Sequence, residues 1–239
     1  GTTAAGCPPS PNGGCCLVCG SQDHALVRAL RDFVAIRSVS SDRKARDECL
    51  RGAKFLANAL ESLGADVKVV APPVVAPDGS APLPIVMGRL FRDARHPTLV
   101  FYGHYDVQPA EEPDWRTPPF SMVAADGYLY GRGTSDNKGP VLAFIHAVRE
   151  MHECWRASGA GPPPVNVAFV LEGEEENGST GFREALAANR LWFSPSSSAS
   201  GTSAPCAQGG GENGLVGGGA ALGDARSVAS AEQRQQPAA

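Results

Sequence analysis

The 239-residue sequence predicts an α/β fold: a mostly parallel sheet with helices on both faces. Three observations predict it. Amphipathic helical stretches alternate with short apolar runs. The run "VNVAFVLEG" (165–173) is apolar almost throughout, as in a strand buried on both faces. Histidine or acidic clusters follow the apolar runs, where open α/β sheets place their ligands.

The elements follow in order. Residues 1–20 are rich in Gly, Pro, Ser and Cys and read as a linker or disordered end. "DHALVRALRDFVAI" (23–36) has helical spacing, with Asp23 placed to cap it. "DECLRGAKFLANALESLGADV" (47–67) is a second amphipathic helix. Its face is Cys49, Ala53, Leu56, Leu60 and Leu63, and Gly64 supplies a left-handed stop. "ADVKVVA" (65–71), "IVMGRLF" (85–91) and "TLVFYG" (98–103) read as strands, with a loop over 72–82. "DGYLYGRG" (126–133) is a short strand between turns. Lys138 to about Met151 is helical, with Pro140 tolerated in the first turn. After the 165–173 strand, "STGFREALAANRLW" (179–192) is a further helix. Residues 194–239 are a Gly/Ala/Ser-rich tail without an aromatic. Such a stretch buries too little apolar surface to offset its ordering entropy, so it reads as disordered. The domain boundaries are therefore 1–20, 21–193 and 194–239.

Composition excludes several functions. Apolar residues make up 42% and charged residues 19%, as in a soluble globular protein, and the formal net charge is −4. No basic footprint points to nucleic acid. No apolar run reaches the roughly 18–20 residues of a membrane helix, and no signal-peptide pattern opens the sequence. The seven cysteines include one C-x-x-C, Cys16 and Cys19, without the second pair that a zinc ribbon needs. They read as free thiols of a cytoplasmic protein.

Three polar clusters carry the chemistry. His104 and Asp106 end the strand in "GHYDVQP". Asp136 in "GRGTSDNKG" precedes the helix from Lys138. Glu172, Glu174, Glu175 and Glu176 end the most apolar strand. Taken singly, each has a plain structural reading: a turn, a glycine-rich cap and a solvated charge run. Together at strand ends, a histidine and several carboxylates suggest a metal, zinc first. Asp106 is placed to hold the second imidazole nitrogen. The adjacent Glu175 and Glu176 repel each other unless a cation lies nearby, where one can ligate while the other acts as a base. His24, His96, His146 and His152 lack such a context.

The blocks "GHYDVQP", Trp115 to Phe120, "YGRGTSDNKGP" and "LEGEEENGST" resemble the di-zinc metallopeptidase family of carnosinases, cytosolic non-specific dipeptidases, aminoacylases and carboxypeptidase G-type enzymes. The resemblance is nearest to the carnosinase and Cys-Gly dipeptidase branch, which includes subunits of the fungal glutathione-degrading complex. It runs from about Asp23 to Trp192. It implies a catalytic-domain fold and hydrolysis of a short peptide or related amide by zinc-activated water. It implies His104 and Glu176 as ligands of one zinc and Asp136 as a bridge between two. Glu175 becomes the general base and Asp106 the partner that orients His104. It also implies a cis peptide between Asp136 and Asn137. Manganese or cobalt can replace zinc at such oxygen-rich sites.

The family pattern asks for more. A further carboxylate ligand is due about 25–30 residues after Glu176, yet 201–206 reads "GTSAPC". A final histidine and a lid domain are due downstream, yet no histidine follows His152. The chain thus reads as the N-terminal part of such a catalytic domain, with one zinc or none held alone. An unpaired sheet edge and an exposed apolar face are expected. The partners expected are a short peptide substrate and a second subunit, as a homo-oligomer or paired with a full-length homologue. The alternative reading is a non-catalytic partner subunit or remnant fragment.

Overall fold

The computed structural model describes residues 25–76, 78–91, 93–111, 113, 115–159 and 163–193. The end segments expected at 1–20 and 194–239, the Cys16–Cys19 pair and the Asp23 cap lie outside the described residues.

Helix α1 (Ala25–Val34) buries Leu30, Phe33 and Val34. Helix α2 (Arg46–Ser62) buries Cys49, Gly52, Ala53, Leu56, Ala57 and Leu60 along one stripe, as its spacing predicts. Gly64, at φ +87°, ends that run. Strands β1 (Asp66–Val70), β2 (Ile85–Leu90) and β3 (Thr98–His104) follow. Strands β4 (Val123–Ala125) and β5 (Tyr128–Tyr130) form a separate hairpin. Its turn is Asp126–Gly127, both at positive φ, the conformation that tight hairpins require. The sequence pattern shows only β5, because a three-residue strand carries no readable period.

Helix α3 (Lys138–Ser158) runs seven residues past the expected Met151. The added turns lack an apolar stripe, but nothing breaks them before Gly159 in the left-handed region. Strand β6 (Asn166–Glu172) is buried along its whole length. Helix α4 spans only Phe182–Ala188. Gly181 at φ +75° bounds its start, and the Asn189 side chain donates to Ala185 O at 2.8 Å at its end. A 3-10 turn, Arg190–Phe193, replaces the last part of the single helix expected there.

The main sheet has the order β1-β2-β6-β3. Strands β1, β6 and β3 run one way and β2 runs against them, so only the β3–β6 pairing is parallel. Apolar runs carry no direction, which is why sequence alone does not reveal the reversal of β2. Helices cover both faces. Val86, Leu90, Val167, Phe169 and Leu171 pack with residues of α1, α2 and α3. Val70, Ile85, Met87 and Val170 pack with Ala185 and Leu186 of α4 and with Trp192 and Phe193. Strand β3 forms one edge, where Leu99, Val100 and Tyr102 are half-exposed. Among the described residues this edge is unpaired and carries apolar side chains, as expected. Among the described residues no helix is long and apolar enough to cross a membrane.

Candidate active site

The parallel pairing of β3 and β6 sets His104 opposite Glu172, the last residues of the two strands. The first and third polar clusters therefore leave the sheet at the same end. Beyond His104 the chain stays extended. Tyr105 N donates to Glu172 O at 2.8 Å and Val107 N to Ser38 O at 2.9 Å. An extended chain alternates its side chains. Tyr105 and Val107 are fully buried in the core, while His104, Asp106 and Gln108 meet the glutamate turn. Two glycines permit this close packing. A Cβ on Gly173 would lie 2.3 Å from Tyr105 Oη, and one on Gly103 would lie 2.8 Å from Asn137 Oδ1.

Asp106 is fully buried and serves two loops at once. Its Oδ1 lies 3.3 Å from His104 Nδ1. The same carboxylate accepts the backbone N–H of Glu175 at 3.3 Å and of Glu176 at 3.1 Å. These amides open the 3-10 turn Glu175–Asn177, whose unpaired N–H groups favour an anionic acceptor. Asp106 thus meets the imidazole through its backbone carbonyl, 3.2 Å from Nδ1, as well as its carboxylate, and also bonds the backbone that carries both glutamates.

The other imidazole nitrogen, His104 Nε2, lies 2.9 Å from Asp136 Oδ1 and 3.7 Å from Glu175 Oε2. Asp136 sits just before α3, and its peptide to Asn137 is cis. Nitrogen or oxygen donors of His104, Glu175 and Glu176 all lie within 4.8 Å of one another. One imidazole and clustered carboxylates form a donor set that suits a divalent cation. Burial opposes charge on His104, but the hydrogen bond and charge of Asp106, with Glu175 and Asp136, prevail and raise its pKa to about 9. Burial raises Glu176, against the hydrogen bond from Gln108.

The four glutamates that look alike in sequence separate here. Glu172 accepts from Tyr102 Oη at 2.6 Å, and burial raises its pKa. Glu174 accepts the Leu83 N–H at 2.9 Å, again with a pKa raised by burial. Both brace the fold. Glu175 and Glu176 alone of the four reach the donor cluster. Of the other histidines, His152 packs edge-on against Phe91 at 5.0 Å, His146 lies in α3 and His96 lies 3.8 Å from Asp93. His24 lies outside the described residues.

Sequence reasoning missed three neighbours of the site. Gln108 Nε2 donates to Glu176 Oε2 at 2.9 Å. Lys138, fully buried beside Asp136 in the chain, donates to Phe33 O at 3.0 Å and Ile36 O at 2.6 Å. Its ammonium ties the start of α3 to the end of α1, and burial lowers its pKa to about 7. Tyr102 is the third, through Glu172. Only Lys138 carried a signal, as a charged residue at the start of an apolar helix.

Residues 100–213 match Peptidase family M20/M25/M40. The Beta-Ala-His dipeptidase of Rattus norvegicus is 43% identical over 165 residues, covering 66% of this chain and 32% of that protein. The Cys-Gly metallodipeptidase DUG1 of Saccharomyces cerevisiae is 39% identical over 159 residues, covering 63% and 32%. Among solved structures, human carnosine dipeptidase 1 has a TM-score of 0.64 at 38% identity, covering 72% of this chain and 36% of that one. The di-peptidase Dug1p from Saccharomyces cerevisiae has a TM-score of 0.61 at 34% identity, covering 71% and 36%. The chain spans about a third of the length of the curated relatives it matches.

Proposed function

From a chain that carries a domain of peptidase family M20/M25/M40, we propose a metal-dependent hydrolase of the dipeptidase type, cleaving the peptide or a related amide bond of a short peptide. The observation that carries this reading is the meeting of His104, Asp136, Glu175 and Glu176 at the ends of β3 and β6 and the start of α3. The relatives named as dipeptidases supply the substrate class, with β-Ala-His and Cys-Gly as the first candidates.

His104, Asp136 and Glu176 are the residues assigned to hold the ion. Zinc is the first choice for one imidazole with carboxylates, and manganese or cobalt also suits it. When bound, such an ion lowers the pKa of water and polarises a carbonyl oxygen. The chain's own residues do the rest. His104 Nδ1 donates to the Asp106 backbone carbonyl at 3.2 Å, with the Asp106 carboxylate beside it at 3.3 Å, which turns the Nε2 lone pair toward the cluster. Glu175 is the general base. Its side chain is partly open to solvent, while its backbone is tied to Asp106. It takes a proton from the attacking water and delivers it to the leaving amine. Asp136 lies 2.9 Å from His104 Nε2, so its carboxylate would be at hand to hold an ion beside that imidazole. We assign the protein to the cytoplasm, where thiols such as buried Cys49 stay reduced.

The test is hydrolysis of β-Ala-His and Cys-Gly by the purified chain with zinc supplied, against Glu175→Gln. Turnover that a chelator abolishes and Glu175→Gln lacks supports the reading. Zinc-independent turnover, or turnover unchanged in Glu175→Gln, refutes it. A second reading is a non-catalytic subunit that pairs with another copy or a full-length homologue. The half-exposed Leu99, Val100 and Tyr102 on edge strand β3 favour it. Zinc uptake without turnover, together with a dimer mass by light scattering, would select it.

A further inference from the structure

Three polar side chains leave one side of the extended segment after β3. His104 and Asp106 have roles above; Gln108 has none. It is exposed, yet its amide turns inward. Nε2 donates to Glu176 Oε2 at 2.9 Å and to Glu176 O at 3.1 Å. We propose that Gln108 is a positioning residue of the metal site, fixing the carboxylate of Glu176 relative to His104. The proposal rests on the reading of Glu176 as a metal ligand.

A glutamate on an exposed turn samples many rotamers, and a ligand must lose that freedom to bind an ion. Gln108 grips both the carboxylate and the carbonyl of the same residue, so it restricts side chain and backbone together. The platform that carries it is itself held at three points. Tyr105 N is bonded to Glu172 O and Val107 N to Ser38 O. Arg132 Nη2 donates to Pro109 O at 3.0 Å, and its guanidinium lies 4.9 Å from the centre of the Trp115 ring. Pro109 also restricts Gln108 to extended backbone, which preserves the alternation of 104, 106 and 108. The Glu176 N–H is meanwhile taken by Asp106. Glu176 is therefore held at N, O and Oε2 from one short segment, the same one that supplies His104. Partners that orient a metal ligand in this way typically contribute 10–100-fold in metal affinity.

The test uses the full chain in two steps. In the metal-free protein, the side-chain amide resonances of Gln108, assigned by their loss in Gln108→Leu, are followed by NMR. They should shift on Glu176→Gln, and an unmoved signal overturns the contact. Zinc affinity is then measured by competition with a chromophoric chelator for wild type, Gln108→Leu and Gln108→Glu. Gln108→Leu should bind about tenfold or more weakly, and Gln108→Glu more weakly still, because it sets a carboxylate against a carboxylate. Substituting an exposed residue should leave the unfolding midpoint of the metal-free chain unchanged. Equal affinity in wild type and Gln108→Leu overturns the proposal. A wild-type chain that takes up no zinc refutes the metal reading, and the positioning role falls with it even if the amide signal shifts.

Discussion

Asp106→Asn is the most informative single perturbation of this protein. The carboxylate accepts hydrogen bonds from the amides of Glu175 and Glu176 at 3.3 and 3.1 Å, and its Oδ1 lies 3.3 Å from His104 Nδ1, which also meets the Asp106 backbone carbonyl at 3.2 Å. Asparagine keeps one acceptor oxygen and replaces the other with a donor. At least one buried N–H must then face an NH2 group. A hydrogen bond to a charged group contributes about 1.5–3 kcal/mol, and an unpaired buried donor costs a similar amount. The metal-free chain should therefore lose about 3 kcal/mol in urea unfolding. His104 should also lose the main support of its raised pKa, and zinc affinity should fall 10–100-fold. Urea titration, NMR of the imidazole and chelator competition measure the three effects separately. Stability within about 0.5 kcal/mol of wild type, with unchanged zinc affinity, would refute the role given to Asp106.

In the metal-free chain, His104 should titrate by NMR near 9 rather than near 6.5. Because its folded pKa is raised, its contribution to stability is fully present below about 6.5 and is lost as pH rises through about 9. Lys138 acts in the opposite sense: its pKa is lowered to about 7, so stability gains between about 7 and 10.5. Unfolding of His104→Gln against wild type across this range isolates the first effect, and parallel curves would exclude it. Gly173→Ala should lower stability by about 1–3 kcal/mol in thermal unfolding, since the new methyl meets the Tyr105 ring and hydroxyl. An unchanged melting temperature would show that Tyr105 can move aside. Val100→Lys on the edge of β3 should leave stability within about 0.5 kcal/mol while reducing self-association in sedimentation. Unaltered association would direct attention to another surface.

Much of the fold was legible, and the reasons are specific. The α2 stripe of Cys49, Ala53, Leu56 and Leu60 follows a period of 3.6 that only a helix satisfies. The all-apolar β6 announces a central strand. The direction of β2 was not legible, because an apolar run reads the same both ways. The break in the last helix falls at Asn189, whose side-chain amide joins its backbone N–H on the Ala185 carbonyl, a contact that propensity alone does not reveal. At the site, clusters at strand ends foreshadow the approach of His104, Glu175 and Glu176 to one another, with Asp136 beside His104 Nε2. The bracing contacts of Glu172 and Glu174 were not legible, since Tyr102 and Leu83 are remote in sequence from them. The grip of Asp106 on Glu175 and Glu176 spans about seventy residues and leaves no local trace. Gln108 escaped notice because a neutral amide breaks no charge pattern.

The most direct test of a metal centre at His104, Asp136 and Glu176 is zinc content per chain. The protein is loaded at neutral pH, freed of excess ion and measured beside His104→Ala. Bound zinc at one equivalent or more in wild type, lost in His104→Ala, is the result this reading predicts. Zinc at background in wild type, or equal in both proteins, would contradict it.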